Sequence, residues 1–288
     1  MKFANSISQI KCWASAVLFI SAITAPQSAG AHGELHIRIA TLTRRIQAAT
    51  NDLASLYLQR GELYRQDQSW AEAESDYAHA AQFNPHLAAV DLCRAKLLDD
   101  SGQLPAAHEQ FDKILNHSPD NGEALIGRAR LLVKLNRPQS AIADFRDGLG
   151  LIPNPQPEYF LEFARLLASQ HRTGDGLRSL DEGLKKFGAI ESLQVFALEL
   201  ELEQNHVEAA IARLDTIIEN APRKETWLAR RGDILLAAGR PIHAQKSFRS
   251  ALDAIKLLPA VLQKAPPLQN LQSHLHAMLE NSTRPPPH

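Results

Sequence analysis

Along most of the chain, apolar positions return at a fixed interval of 34 residues, far longer than the period of a single helix or strand. Counting from Ala54, the eighth position of each interval is small in Gly61, Ala95, Ala129, Ala164 and Gly232, with Leu198 the one large residue. The twentieth position is small in all six intervals: Ala73, Ala107, Ala141, Gly176, Ala210 and Ala244. Four residues later, one helical turn on along the same face, stand Tyr77, Phe111, Phe145, Leu180, Leu214 and Phe248. The intervals close on Pro85, Pro119, Pro153 and Pro222, with Gly188 and Lys256 at that place in the other two.

This pattern predicts helical hairpins. Two antiparallel helices approach closely only where side chains are small, so positions eight and twenty mark a crossing and the bulky residue at position 24 fills the wedge beside it. Proline at the end of a unit cannot continue the hydrogen-bond ladder and turns the chain into the next hairpin. Ser101-Gly102, Asn136 and Gly239 supply turn chemistry between the helices, and Pro105, Pro138 and Pro241 fall where a second helix begins, a place that tolerates a missing N–H. The units run 54–87, 88–121, 122–155, 157–190, 191–224 and 225–258, with one residue inserted in the stretch Pro153-Asn154-Pro155-Gln156-Pro157. The fourth unit carries Gly176, Gly183 and Gly188 where Ala, Ala and Pro are usual, which predicts a looser hairpin or, functionally, a hinge.

Both flanks carry an amphipathic stripe. Leu35, Ile39, Leu42, Ile46 and Ala49 predict a capping helix within residues 32–53, and Leu268, Leu271, Leu275, Met278 and Leu279 predict another within 259–282. Residues 283–288 hold three prolines and read as a disordered tail. Ahead of the array, Lys2 and Lys11, the apolar run Cys12–Thr24 and the small-residue site Ala29-Gly30-Ala31 predict a signal peptide over 1–31. The run is short of the roughly 20 residues that cross a bilayer as a helix, so no membrane span is expected after cleavage. The mature chain, beginning at His32, is expected to be periplasmic or secreted, with Cys93 its single cysteine and no intramolecular disulfide.

These residues resemble the tetratricopeptide repeat family, whose 34-residue signature is W-x2-L-G-x2-Y, then A-x3-F, then P. The first unit matches best, at Tyr57, Gly61, Tyr64, Ala73, Tyr77, Ala80 and Pro85. The resemblance implies an all-α, right-handed α-solenoid of six hairpins. It also implies a concave groove lined by the first helices, mainly at unit positions 2, 5, 6, 9, 12 and 13. Position 9 there reads Glu62, Lys96, Arg130, Arg165, Glu199 and Asp233, a basic centre between acidic ends. Lys96, Arg130 and Arg165 either receive an acidic or C-terminal segment of a partner or pair internally with Asp99, Asp100, Glu123, Glu162 and Glu199. Leu58, Leu92, Ile126, Leu161, Val195 and Phe196 offer apolar anchor points for a peptide or helix. The Lys/Asn clamp by which one subfamily grips chaperone tails is missing, since the matching positions are Leu58, Glu62, Cys93, Glu123 and Gly127. Cys93 reads as an apolar filler and, alternatively, as a reactive thiol. Arginines at position 7, namely Arg60, Arg94, Arg128 and Arg231, read as structural, with stems packed along helix seams.

Charge and motifs narrow the functional classes. Lys+Arg 31 against Asp+Glu 32 leaves no basic excess for a nucleic acid. There is no phosphate loop, nucleophile elbow or H-E-x-x-H pair, so no catalytic residue and no cofactor is expected. One metal alternative stands beside the scaffold reading: a cleaved N-terminus would let the amine and ring of His32 chelate copper, with His36 as a further ligand.

Overall fold

The computed structural model describes residues 27–49 and 51–281, and these are entirely helical apart from turns and short connections. A first helix, α1 (Gln27–Ala48), precedes six hairpins: α2 (Leu53–Gln66) with α3 (Trp70–Phe83), α4 (Ala89–Asp100) with α5 (Leu104–His117), and α6 (Gly122–Lys134) with α7 (Pro138–Leu151), then α8 (Pro157–Ser169) with α9 (Thr173–Phe187), α10 (Glu191–Glu203) with α11 (Val207–Asn220), and α12 (Glu225–Ala237) with α13 (Pro241–Lys256). A one-turn helix, α14 (Ala260–Gln263), leads into α15 (Pro266–Asn281). The helices fall into two compact halves, one closing at Tyr159 and the other opening at Phe160. No helix among the described residues is long and apolar enough to cross a membrane. The signal segment lies almost wholly outside the described residues, while α1 runs through Ala31 and His32 without a break.

Each hairpin turns on the same device. Position 15 adopts a left-handed backbone in all six units, at Gln68, Gly102, Asn136, His171, Asn205 and Gly239, with φ between 55° and 79°. The following N–H donates five residues back to close the first helix, as in Ser69 to Tyr64, Arg137 to Leu132 and Arg240 to Leu235 at 2.8–2.9 Å. Glycine fills this place in two units and asparagine in two. Gln68 and His171 hold the same conformation at a steric cost.

The crossing points are where the period put them. Position 24 is buried in every unit, and so is position 20. In the first and sixth hairpins the ring sits directly on the position-8 glycine: a Cβ at Gly61 would come 2.6 Å from the Tyr77 ring, and one at Gly232 2.2 Å from that of Phe248. The fifth hairpin reverses the sizes, with Leu198 at position 8 packed against Leu214 and Ala210 rather than an aromatic ring. The fourth hairpin is tight where its glycines predict looseness. A Cβ at Gly176 would lie 3.1 Å from the Ala164 carbonyl, and one at Gly183 2.9 Å from Leu193 and 3.1 Å from Phe160. The missing side chains are what let these helices close up.

In the N-terminal half, α1 covers the first hairpin through Ile39 and Leu42, packed with Leu56 and Leu63. In the C-terminal half, α15 covers the last through Leu268 and Leu275, with Leu271, Met278 and Leu279 alongside. Pro266 and Pro267 open α15 rather than merely separating it from what precedes.

Candidate partner-binding groove

Within the N-terminal half the first helices α2, α4 and α6 lie side by side. Two rows of cations two residues apart project from them to different surroundings. The arginines at position 7 are each bound to a carboxylate. Arg60 forks onto Asp76 with two bonds of 2.7 Å and reaches Thr43 of α1 at 3.0 Å. Arg128 does the same to Asp144 at 2.7 and 2.9 Å, and bonds Asp112 of the preceding hairpin at 2.8 Å. Arg94 pairs with Glu74 of the preceding hairpin at 2.9 Å. In the C-terminal half Arg231 joins Ser247 of its own hairpin at 2.9 Å to Asp215 of the preceding one at 2.6 Å.

The fifth hairpin, which has Ala197 at position 7, moves its arginine to the second helix. Arg213 reaches Asp181 of the preceding hairpin at 2.9 Å and Glu201 at 3.3 Å. Arg94, Arg128, Arg213 and Arg231 each pin one hairpin to the preceding one. The sequence exposes the arginines, and it holds a further signal at the same period that the reading above passes over: Asp76 and Asp144 at position 23, with Asp112, Asp181 and Asp215 at position 25.

Position 9 is different. Lys96 makes no hydrogen bond or ion pair among the described residues, and the carboxylates that could have paired with it are taken by other cations: Asp99 by Lys134 at 2.7 Å, and Asp100 by Arg65. Arg130 lies over the Tyr159 ring, 5.0 Å from its centroid, while the Tyr159 hydroxyl donates to Glu123 at 2.9 Å. In the C-terminal half Arg165 is exposed and stacks over Phe196 at 5.6 Å, with no ion pair among the described residues. Its aromatic platform holds the guanidinium without consuming the N–H donors. Glu199 and Arg230 follow on the same first helices. Burial raises the Glu199 carboxyl above its ordinary range, against the pull of Arg230, and burial lowers Arg230 against Glu199 and Asp233. Arg230 stands at position 6, and the sequence reading did not name it.

The apolar anchors divide. Leu58 and Leu92, in the N-terminal half, and Leu161 and Phe196, in the C-terminal half, are partly exposed. Ile126 is not available: it is 1% exposed and packs where a Cβ on Gly148 would come within 3.1 Å of it. A glycine on α7 draws this isoleucine into the core, while its counterparts in the neighbouring hairpins stay at the surface.

At the start of the array Glu62 is fixed by Arg65 at 3.0 and 3.2 Å and by the Tyr77 hydroxyl. Burial pushes its carboxyl up, but those bonds outweigh burial and hold it below the ordinary value. Burial, reinforced by the Glu62 charge, pushes the Cys93 thiol up to about 12, away from the thiolate form. No group of three or more His, Cys, Asp or Glu among the described residues could hold a metal ion. His36 is exposed, 3.9 Å from Asp67, and the His32 side chain lies outside the described residues.

Residues 98–169 match the tetratricopeptide repeat, and residues 198–256 match it again. Both stretches are tetratricopeptide repeats by this match. Solved structures share its architecture. Pseudomonas aeruginosa pilF is 15% identical over 77% of this chain and 98% of its own, with a TM-score of 0.53. PilW, a type IV pilus biogenesis factor, is 19% identical over 77% of this chain and 100% of its own, at 0.52. YrrB, a TPR protein with an unusual peptide-binding site, is 15% identical over 70% and 97%, at 0.51. At these identities the likeness concerns the fold alone. No curated protein sequence matches this chain.

Proposed function

We propose that this tetratricopeptide repeat protein is a non-catalytic scaffold that holds a peptide or helix of a partner protein on the face formed by its first helices, in the cell envelope. The observation that carries the reading is the contrast between adjacent rows: position-7 arginines are bound to carboxylates, whereas Lys96 and Arg165 at position 9 keep their donors for something else. Leu58, Leu92, Leu161 and Phe196 add apolar contact area beside them, so affinity comes from the apolar anchors and selectivity from charge. The partner segment is acidic or presents a C-terminal carboxylate.

Reversal of Lys96, Arg130 and Arg165 to Glu in one chain tests this. Partners captured from the native envelope by the wild-type protein are expected to be lost from the variant. Recovery at unchanged yield overturns the assignment of that row to recognition. The envelope location rests on the N-terminal segment of the sequence. Fractionation with N-terminal sequencing is expected to find a mature chain beginning at His32 outside the cytoplasm, and a chain retained whole in the cytosol contradicts it.

A further inference from the structure

The N-terminal half holds a second feature that the basic row does not use. Between α1 and the first helix of the first hairpin lies an open cavity of about 500 Å³, floored in part by Cys93 of α4. Helix α1 packs on α2 through Ile39 and Leu42, and this turns its adjacent Arg38-Thr41-Arg45 face toward the cavity. Arg38 and Arg45 are seven residues apart on one helix, which places them two turns, roughly 10 Å, apart. Across from them Gln59 and Gln66 repeat that spacing on α2. None of these four side chains makes a hydrogen bond or ion pair among the described residues.

The remaining charge in the cavity is Glu62, already bound by Arg65 and Tyr77, so the two guanidiniums face no free carboxylate there. Leu42, Leu58, Leu63 and Cys93 make the floor apolar. A bare anion would leave that floor wet, and an uncharged apolar ligand would leave both guanidiniums without an acceptor. An extended chain of the polyproline-II kind advances about 3.1 Å per residue with three residues per turn, so acids three residues apart lie on one face and span the distance between the arginines.

We propose that this cavity is a binding site for an extended acidic peptide in which two carboxylates bracket a pair of apolar residues. Arg38 and Arg45 take the carboxylates, Leu58 and Leu63 take the apolar side chains, and the Gln59 and Gln66 amides bond the peptide backbone. The proposal rests on the reading of this protein as a peptide holder and concerns the first-unit end of that face, where the non-repeat helix α1 supplies the arginines.

The probe is a fluorescein-labelled acetyl-Glu-Leu-Leu-Glu-amide, with acetyl-Lys-Leu-Leu-Lys-amide as its counterpart, titrated into the full chain and followed by anisotropy and by methyl shifts of Leu42, Leu58 and Leu63. The acidic peptide is expected to bind, weaken with added salt and perturb those methyls, while the basic one does not bind. Arg38→Glu with Arg45→Glu is expected to weaken binding by about tenfold or more. Arg38→Lys with Arg45→Lys, which keeps the charge, retains most of it, and Arg94→Ala, on the fastened row, leaves it unchanged. Absence of binding, equal binding of the two peptides, or unchanged affinity in the Arg38→Glu, Arg45→Glu chain with an unaltered melting profile overturns the proposal. Loss of binding only in the Lys96→Glu, Arg165→Glu chain overturns it too, while supporting the central row as the peptide site. Conversely, envelope partners that survive reversal of the central row contradict the function proposed above and leave this cavity standing.

Discussion

Arg128 and Lys96 stand on neighbouring first helices of the same half, two positions apart in the repeat, and their fates differ. Arg128 is bonded to three carboxylate oxygens on two hairpins, while Lys96 is bonded to none among the described residues. The intervening position 8 is buried, so positions 7 and 9 emerge on opposite sides of the crossing point and meet different neighbours. A cation row at a fixed period is therefore no evidence of recognition by itself. What separates a fastening from a docking point is whether the facing helices supply carboxylates.

The largest effect is expected where one arginine holds the carboxylates of two hairpins and one of them is buried. Asp144 is 8% exposed, so Arg128→Ala leaves a carboxylate desolvated and unpaired. The loss should be about 3 kcal/mol in urea denaturation, the low end for a broken buried pair because the guanidinium itself keeps some solvent. A matching Arg128→Met, Asp144→Leu chain should recover much of that, and equal loss in both chains would show that packing rather than charge is at stake.

Between the rows, Gly232→Ala puts a Cβ within 2.2 Å of the Phe248 ring and should cost about 1–3 kcal/mol through overpacking. Calorimetry on the single variant checks it, and Phe248→Leu in the same chain should restore part of the loss by copying the Leu214 solution of the fifth hairpin. Arg94 and Glu74 are the exposed member of the first row, at 30% and 48%, so Arg94→Ala should change stability by about 0–1 kcal/mol. A loss as large as that of Arg128→Ala would mean that burial does not set the scale. Lys96→Ala and Arg165→Ala should fall within about 0.5 kcal/mol of wild type, because no ion pair is broken.

The smallest effect concerns the terminal helix. His274 of α15 donates to Asp233 of α12 at 3.3 Å, and that hydrogen bond raises its pKa above the ordinary 6.5 against the opposing effect of burial. A raised folded-state pKa stabilises fully below the unfolded value and is lost as pH rises through the folded one. Protection of α15 amides from hydrogen exchange should therefore fall modestly above pH 6.5, and His274→Gln should remove the dependence.

Much of the fold was legible because it repeats. Small residues at positions 8 and 20 and bulky ones at 24 recur often enough to outweigh any single exception, and Leu198 against Leu214 shows how an exception is absorbed locally. The turns were half legible: Gly102, Asn136 and Gly239 advertise a left-handed backbone, whereas Gln68 and His171 do not and are held there by the helices on either side. Site details that depend on how one hairpin meets the next were not. Ile126 shares its repeat position with Leu58 and Leu92, yet Gly148 on another helix decides that it is buried. The arginines of α1 gave no sign of facing a cavity, because that depends on how a non-repeat helix docks.

The most direct test of the central claim measures the two rows side by side in full chains. Partner recovery from the native envelope and thermal midpoint are compared for Lys96→Glu, Arg130→Glu, Arg165→Glu against Arg94→Ala. The account predicts that the first chain loses its partners, while Arg94→Ala keeps both partners and midpoint. Undiminished recovery by the position-9 chain, or loss of partners on Arg94→Ala with its fold intact, would contradict it.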